Sequence, residues 1–239
     1  MKIIILIRYP KVEKSKWKRF LIEQLIDEGY EISIIFGESS YWRHFKAAIK
    51  YLRTTDTELK KHINEKKIKL YNYFKKKIIV KNVNDLNSKN SERILKKINP
   101  DLILLLGSGI IRKNILTIPK KGAIHCHHGK LPFFRGVNTA EWSLLTEKKV
   151  YLSTHYVNTG IDTGDIIIRK KLNIFGINSI TELRKLCREE SVDLILSTIK
   201  KLKENNVESI EQVKGDGKQF YFMHPFFKEI LEKKLKIKH

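Results

Sequence analysis

The densest group of chemically active side chains is the run His125-Cys126-His127-His128. Successive side chains of a strand point to opposite faces, so His125 and His127 would share one face. Histidine is a general acid or base near neutral pH and also the commonest metal ligand. A catalytic metal site would need a further carboxylate or histidine, for which Asp162 or His155 could serve. The run predicts a reactive centre, with acid–base chemistry and metal binding both open.

A glycine-containing turn, Gly107-Ser108-Gly109, follows the most apolar segment of the chain. A dinucleotide-binding turn needs a third glycine three residues later, where this chain has Arg112, and it normally follows the first strand. The sequence also has neither the phosphate-loop pattern GxxxxGK[ST] nor the zinc-protease pattern HExxH. Kinase, ATPase and zinc-protease functions therefore have no support.

Short apolar strands alternating with helices must position these groups. Lys2–Ile7 is an isoleucine-rich run typical of a buried parallel strand. Lys16–Glu28 has apolar residues at helical spacing and is closed by Gly29, and Glu31–Phe36 is a second β-branched strand. Strand, helix and strand in this order are typical of a parallel βαβ unit.

The alternation continues through the middle of the chain. The predicted elements are a less regular helical stretch at Tyr41–Lys75, a strand at Ile78–Val80, a helix at Ser91–Ile98, and strands at Asp101–Leu106 and Gly122–Cys126. The pattern predicts an α/β fold with a Rossmann-like, doubly wound, mostly parallel sheet.

The pattern changes after the histidine run. The predicted elements are a helix at Gly136–Leu145, strands at Tyr151–Val157 and Asp165–Leu172, a long amphipathic helix at Ile180–Lys203, and strands at Glu208–Val213 and Gln219–Met223. The last two strands flank Gly215-Asp216-Gly217, a typical hairpin turn. We predict a catalytic domain over residues 1–175 and a C-terminal helix and β-hairpin extension over 176–239, packed on the same domain.

The composition is that of a globular protein. The 239 residues are 41% apolar and include 11 Phe, 9 Tyr and 3 Trp, enough for a sizeable core. The apolar run Ile3–Ile7 is too short for a secretion signal or a membrane span, and no later run approaches ~20 apolar residues. The cysteines, Cys126 and Cys187, form no CxxC pair and favour the reducing cytoplasm over a disulfide. We expect a soluble cytoplasmic protein.

The charge is strongly positive. The 48 Lys and Arg residues outnumber the 26 Asp and Glu residues, which gives a formal net charge of +22. Such an excess attracts phosphates, nucleic acids and anionic membranes. Much of it is lysine in short runs such as Lys75-Lys76-Lys77. Two explanations of the charge stay open: lysines that cover exposed faces, and an electrostatic field that attracts a phosphate-bearing substrate.

Two linked motifs carry a family resemblance. The first runs from His127 through Leu131-Pro132 to Gly136, and the second runs from Gly160 through Asp162 to Ile167. In order and spacing they resemble the folate-dependent formyltransferase family, which includes glycinamide ribonucleotide, methionyl-tRNA and nucleotide-sugar N-formyltransferases. Members of this family carry Asn-x-His, then Leu-Pro-x-x-(Arg/Lys)-Gly, and later Asp-x-Gly-x-Ile.

The resemblance covers Pro100 to about Leu172. A looser resemblance continues at Gln212 and at Tyr221–Pro225, and it is most similar to the small members that modify sugars.

The resemblance implies that His127 is the catalytic histidine and Asp162 the catalytic aspartate. His125 stands where the family usually has asparagine, whose amide donates a hydrogen bond to the formyl oxygen as that oxygen gains charge. A histidine N–H can also donate, but histidine is larger and its donor capacity depends on tautomer and protonation. We therefore expect retained activity with an altered pH dependence, and loss of formyl transfer is the alternative.

The resemblance also implies binding residues. Gly109, Ile110, Ile111 and Arg112, together with the Asp162 loop, align with the segment that binds the pterin-like head of the formyl donor, N10-formyltetrahydrofolate. Arg135 and Asn138 follow the proline turn at the start of a predicted helix, where N–H groups meet anionic substrates. The chemistry of the family requires no metal.

The function implied is transfer of a formyl group to the amine of a nucleotide-linked amino deoxysugar. The expected partner is that small molecule rather than a nucleic acid, and a homodimer is kept as an alternative to a monomer. Glycinamide ribonucleotide and methionyl-tRNA are the rival acceptors. The second rival usually has a sizeable further domain, for which residues after Lys203 offer little chain. A metal-dependent hydrolase using His125, His127 and Asp162 is the alternative from another class, and a non-catalytic basic binding protein is a third.

Overall fold

The structure, a computed structural model, describes residues 1–8, 16–37, 78–213 and 215–236. The chain forms two compact units, Met1–Gly122 and Ala123–His239. The predicted helical stretch at Tyr41–Lys75 lies outside the described residues. The domain boundary at residue 175 stays a prediction.

The first unit is a parallel α/β layer. Its strands are β1 (Lys2–Arg8), β2 (Glu31–Gly37), β3 (Ile79–Val83) and β4 (Leu102–Leu105). Its described helices are α1 (Lys16–Asp27), α2 (Lys89–Ile98) and α3 (Lys113–Leu116). The strand order is β3-β2-β1-β4, and each of these pairs is parallel. The central strands β1 and β4 are buried along their length, as their uninterrupted apolar sequences predict.

Helix boundaries in this unit follow their capping residues. The Ser88 side chain accepts a hydrogen bond from the Ser91 backbone N–H, so α2 begins at Lys89, two residues earlier than predicted. Asn99 adopts the left-handed conformation and ends the helix before Pro100. Gly29, with a φ of 78°, follows α1 in the same way.

The second unit combines antiparallel strands with a long helix. Its strands are β5 (Ala123–His127), β6 (Phe134–Gly136), β7 (Tyr151–Tyr156), β8 (Ile166–Lys171) and β9 (Lys218–Phe220). Its helices are α4 (Thr139–Glu147), α5 (Ile180–Lys203) and α6 (Pro225–Lys236). Strand β7 pairs antiparallel with both β5 and β8, and α5 packs against all three. Strands β6 and β9 form a separate parallel pair.

The predicted C-terminal β-hairpin is wrong. Strand β9 pairs with β6 through the register Arg135↔Gln219, whereas Ile210 forms only an isolated bridge with Ile166. Gly217 has a φ of 69° and packs so closely on the Pro132 carbonyl that no side chain would fit. Gly217 therefore permits a close contact with a distant segment, which turn statistics do not encode.

The predicted helix at Gly136–Leu145 begins later, at Thr139. Gly136 is the last residue of β6 and has a φ of 102°, which excludes it from a helix. Asn138 is the N-terminal capping position of α4. Helix α6 was not predicted from the sequence. Within the described residues no helix is both long enough and apolar enough to cross a lipid bilayer.

Candidate active site

Three histidines come together because β5 and β7 are antiparallel neighbours. His125 lies directly opposite His155, and His127 lies two residues further along β5. The His155 ring centroid is 5.8 Å from that of His125 and 6.4 Å from that of His127. The last histidine of the run, His128, instead forms a 3.1 Å hydrogen bond with the Ser191 hydroxyl of α5. The prediction that His125 and His127 share a face is thus confirmed.

Asp162 reaches these histidines from the loop between β7 and β8. The residue has a φ of 54°, a left-handed conformation that aspartate tolerates better than most residues. Its Oδ2 accepts a 2.9 Å hydrogen bond from the Gly136 N–H. The Gln212 side-chain amide donates to the carbonyl oxygens of Asp162, at 3.0 Å, and Gly164, at 2.5 Å. These contacts hold the carboxylate in place.

The carboxylate of Asp162 faces two imidazoles, one at each oxygen. Its Oδ2 lies 3.3 Å from His127 Nδ1, and its Oδ1 lies 3.5 Å from His155 Nε2. The second distance is an electrostatic contact, because it is long for an N–H···O hydrogen bond. His125, His127 and Asp162 each offer one ligand-type atom, and these three atoms lie within 4.8 Å of one another.

The outer ring nitrogen of His127, Nε2, forms a hydrogen bond with the backbone. Its Nε2 lies 2.7 Å from the Phe134 carbonyl oxygen, which can only accept, so Nε2 carries a proton. The Thr139 hydroxyl donates to the His128 carbonyl and its oxygen lies 3.2 Å from the same Nε2. The inner nitrogen, Nδ1, is therefore the atom of His127 that exchanges a proton with Asp162 or a reacting group.

Burial and neighbouring charges shift the pKa values of His127 and Asp162 in opposite directions. Burial lowers the pKa of His127, and the Asp162 carboxylate opposes this by raising it. Burial also pushes the pKa of Asp162 upward, but His127, His155, His125 and the Gly136 N–H outweigh burial and hold the pKa of that carboxyl well below its usual range. Asp162 is therefore a carboxylate over the physiological pH range, whereas the protonation of His127 depends on the charge of Asp162. Such a pair can hold a proton and release it.

Substitution of Gly129 by alanine is expected to lower kcat by about 10²-fold, because small displacements of a catalytic group have effects of that size. A Cβ at Gly129 would lie 2.6 Å from His127 Nε2 and 2.7 Å from the Phe134 oxygen, between the two atoms that hold the ring. Gly176→Ala is the matched control: its φ of 77° gives backbone strain, but no atom lies within 4 Å of the new methyl group. Turnover measured at saturating substrate should fall only in the first variant. Equal turnover in both would show that the ring position is not critical.

The predicted cofactor residues lie in the first unit, in the loop after β4. The Asn87 side chain braces this loop by donating to the Ile110 carbonyl at 3.0 Å and accepting from the Arg112 N–H at 2.7 Å. Within the described part of the chain, the backbone N–H groups of Ile110 and Ile111 donate to no acceptor. Gly109 has a φ of 75° and closely approaches the Arg8 guanidinium. A braced loop with free N–H groups fits a ligand with hydrogen-bond acceptors, and the cofactor assignment stays a prediction.

The predicted substrate residues differ in what they contact. The Asn138 side-chain amide donates to Glu141 Oε1 at 3.1 Å and accepts from the Met223 N–H at 3.1 Å. Both of its polar atoms are thus engaged within the protein, and these contacts lend no support to substrate binding. Arg135 lies in β6, half-buried, and forms no ion pair among the described residues. Arg135 is therefore a stronger candidate for substrate binding than Asn138.

Sequence reasoning assigned no catalytic part to three residues that shape the site: His155, Thr139 and Gln212. The sequence indicated His155 only as a possible metal ligand. Its place on β7, directly opposite His125, becomes informative once β5 and β7 are known to pair. Thr139 has no local pattern that marks it, and its contact with His127 spans 12 residues of chain. Gln212 was part of the looser family resemblance, but its contact with Asp162, across 50 residues, is seen only in the folded chain.

Comparison with known proteins identifies the family. A formyl transferase family model matches residues 2–199. A methionyl-tRNA formyltransferase of Clostridium botulinum is 36% identical over 129 residues, which are 53% of this chain and 41% of that protein. The match therefore spans less than half the length of that curated relative.

Two solved structures share the fold. A sugar N-formyltransferase from a Shewanella species superposes with a TM-score of 0.64 at 14% identity, covering 98% of this chain and 87% of the other. A formyltransferase from Anoxybacillus kamchatkensis, in complex with UDP-4,6-dideoxy-4-formamido-L-AltNAc and tetrahydrofolate, has a TM-score of 0.56 at 20% identity, covering 92% and 85%. These similarities confirm the predicted Rossmann-like α/β fold. With the family match over most of its length, the chain belongs to the formyl transferase family.

Proposed function

We propose that this protein is an N-formyltransferase that moves a formyl group from N10-formyltetrahydrofolate to the amine of a nucleotide-linked amino deoxysugar. The observation that carries the proposal is the buried His127–Asp162 pair, with 3.3 Å between Nδ1 and Oδ2, beside His125. Family membership and the tetrahydrofolate named with the Anoxybacillus enzyme support the formyl donor.

The site offers the groups that formyl transfer needs. The donor supplies a formyl carbon bonded to a nitrogen that can leave. When a neutral amine attacks this carbon, the new C–N bond places negative charge on the formyl oxygen and positive charge on the attacking nitrogen. In this proposal His125 donates a hydrogen bond to that oxygen, a contribution worth about 10²–10³ in rate in comparable sites. His127 Nδ1 and Asp162 accept the proton from the attacking nitrogen, directly or through a water, and return it to the leaving nitrogen as the old C–N bond breaks.

The two-stranded sheet of the second unit carries side chains that support the proposal of a nucleotide-bearing acceptor. Strand β6 carries Arg135, and β9, its partner, is followed at once by Tyr221 and Phe222, which are strongly exposed. A guanidinium pairs with phosphate oxygens, and exposed aromatic rings stack on nucleobases. The net charge of +22 also favours an anionic substrate. The sugar nucleotide named with the Anoxybacillus enzyme is of this chemical class.

The direct test is an acceptor panel. The purified protein is incubated with N10-formyltetrahydrofolate and dTDP-, UDP- and GDP-linked amino deoxysugars, and the products are weighed by mass spectrometry. We expect one acceptor class to gain the mass of a formyl group in place of a hydrogen. No gain with any acceptor would contradict the proposal.

Arg135→Ala is expected to raise KM for the nucleotide sugar by about 10- to 100-fold, because a hydrogen bond to a charged group contributes about 1.5–3 kcal/mol. kcat should change little, because the phosphates are held equally in ground and transition states. Arg169→Ala in β8 is the matched control, an arginine outside the two-stranded sheet. Steady-state kinetics with acceptor varied at saturating donor would separate the two constants. An unchanged KM would remove Arg135 from the substrate site.

Methionyl-tRNA is the second candidate acceptor. It is favoured by the 36% identical relative, which is a methionyl-tRNA formyltransferase, and by the positive charge. Formylation of charged initiator tRNA, with affinity that falls steeply as salt rises, would establish this acceptor instead.

We also propose a reducing, cytoplasmic location. Cys126 and Cys187 are both free and buried, and burial raises the pKa of each thiol to about 12. Unpaired, unreactive thiols suit a reducing compartment. The oligomeric state stays a prediction.

A further inference from the structure

The hydrogen bonds of His127 and His155 leave each ring with one unprotonated nitrogen near Asp162. The Nε2 proton of His127 is given to the Phe134 carbonyl at 2.7 Å. In His155, Nδ1 lies 2.7 Å from the Tyr156 carbonyl oxygen, so this N–H donates to the backbone in the same way. Each neutral ring then has one remaining nitrogen with a lone pair and no proton.

Both of these nitrogens lie close to the same carboxylate. His127 Nδ1 lies 3.3 Å from Oδ2 and His155 Nε2 lies 3.5 Å from Oδ1 of Asp162. His155 Nε2 is buried and has no hydrogen-bond partner among the described residues. Three acceptor groups facing one another are mutually repulsive unless a positive species lies between them. That species is either an added proton or a metal cation.

The spacing suits a tetrahedral metal ion. Zinc binds imidazole nitrogen and carboxylate oxygen at ~2.0–2.2 Å, so two ligands of one tetrahedral ion lie about 3.3–3.5 Å apart. The separation of His127 Nδ1 from Asp162 Oδ2, 3.3 Å, matches this value, and His155 Nε2 lies 3.5 Å from the other carboxylate oxygen, Oδ1. His125 adds a third ligand atom, within 4.8 Å of those of His127 and Asp162. Two histidines and one carboxylate form a recurrent zinc ligand set.

The surroundings also match those of metal-binding histidines. A ligating histidine usually donates its other ring N–H to a backbone carbonyl or a carboxylate, which sets the tautomer and orients the ring. His127 does so through Phe134, and His155 does so through Tyr156. The Gly136 N–H likewise orients the Asp162 carboxylate.

We propose that His125, His127 and Asp162 form a Zn²⁺-binding site, with His155 Nε2 as a fourth ligand, and that the bound ion blocks formyl transfer. The blockade follows because the ion occupies His127 Nδ1 and the Asp162 carboxylate, which the reaction needs for its proton. This inhibitory part rests on the proposed function, whereas the binding part does not. His125 is decisive, because an asparagine at this position would offer an amide, a poorer zinc ligand than imidazole.

Binding is measured on the whole protein, freed of metal by dialysis against a chelator. Calorimetric titration with Zn²⁺ should show one site, and Co²⁺ should give the intense visible absorption of tetrahedral coordination. Mg²⁺, which prefers six oxygen ligands, should not compete. X-ray absorption of the zinc-loaded protein should show imidazole nitrogens at about 2.0–2.1 Å.

His125→Asn should weaken Zn²⁺ binding by more than about 100-fold, since even the loss of an outer-shell partner costs about 10- to 100-fold. His155→Gln is a second variant that tests the fourth ligand and should weaken binding by at least about 10-fold. The control is His224→Asn, an exposed histidine elsewhere in the unit, which should bind Zn²⁺ like the parent protein. Circular dichroism shows whether each variant is folded.

The outcomes separate this inference from the proposed function. Absence of zinc binding by the parent protein, or equal affinity in the parent and the His125 variant, would overturn the site. Zinc bound at this cluster in a protein that transfers no formyl group, with or without metal, would support the site and contradict the proposed function. Formyl transfer that zinc inhibits and chelator restores would support both. Formyl transfer that requires zinc would overturn the inhibitory part of the proposal.

Discussion

His127→Ala is expected to reduce kcat by about 10²–10⁴-fold, the range that a positioned acid–base group contributes. The variant removes the only atom, Nδ1, through which this ring exchanges a proton with Asp162 at 3.3 Å. Water that enters the space cannot hold the proton in one place relative to the reacting nitrogen. Single-turnover kinetics with saturating donor and acceptor would measure the chemical step itself.

The matched control for this prediction is the neighbouring histidine. His128 lies on the opposite side of β5, bonded to Ser191, and burial lowers its pKa to about 3, so it stays neutral. His128→Gln should therefore keep the turnover of the parent protein. The loss of the hydrogen bond to Phe134 in His127→Ala should also lower the free energy of unfolding by about 1–3 kcal/mol, so activity is compared at a temperature where both variants are folded. Turnover within a few-fold of the parent would remove His127 from the chemistry.

Asp162→Asn should give a comparable loss and, in addition, a shift of the pH profile. Asparagine has nearly the same size and also tolerates the left-handed conformation seen at this position, so the loop should be preserved. The carboxylate raises the pKa of His127 against the effect of burial. Removing that charge lets burial act alone, so the pKa of His127 falls further. Whichever protonation state of His127 is active, the limb of the kcat/KM profile that reports it should move to lower pH.

Asp165→Asn is the control for this shift, because it removes one negative charge from the same loop without altering the contacts of His127. A pH series of kcat/KM for the three proteins would show whether only the Asp162 variant moves. A limb that stays in place, or moves to higher pH, would contradict the assigned coupling. If His127 and Asp162 act as one unit, the double variant should be little worse than either single variant.

The elements that were correctly anticipated are those whose stability is local. Strand β1 is an uninterrupted apolar run, and α5 was predicted with its observed bounds, Ile180–Lys203, because its apolar residues recur at helical spacing along one stretch of chain. Catalytic roles for His127 and Asp162 came from motif resemblance, and the structure brings both side chains into one buried cluster.

The errors and omissions concern contacts between distant segments. Strand β9 satisfies its backbone groups on β6, 80 or more residues away, so local turn statistics predicted the wrong partner. His155 enters the site only because β7 lies antiparallel to β5 in a register that sets it opposite His125.

The amino-acid order alone thus specified the chemistry available to this protein: an imidazole pair, a carboxylate in a glycine-rich loop and a strongly basic chain. Periodicity and motif spacing are local properties, and they suffice for that much. Which nitrogen of each histidine faces Asp162 was decided only by folding. The reason is that the backbone carbonyls of Phe134 and Tyr156 each accept a hydrogen bond from one ring N–H, and this geometry exists only after the strands have paired.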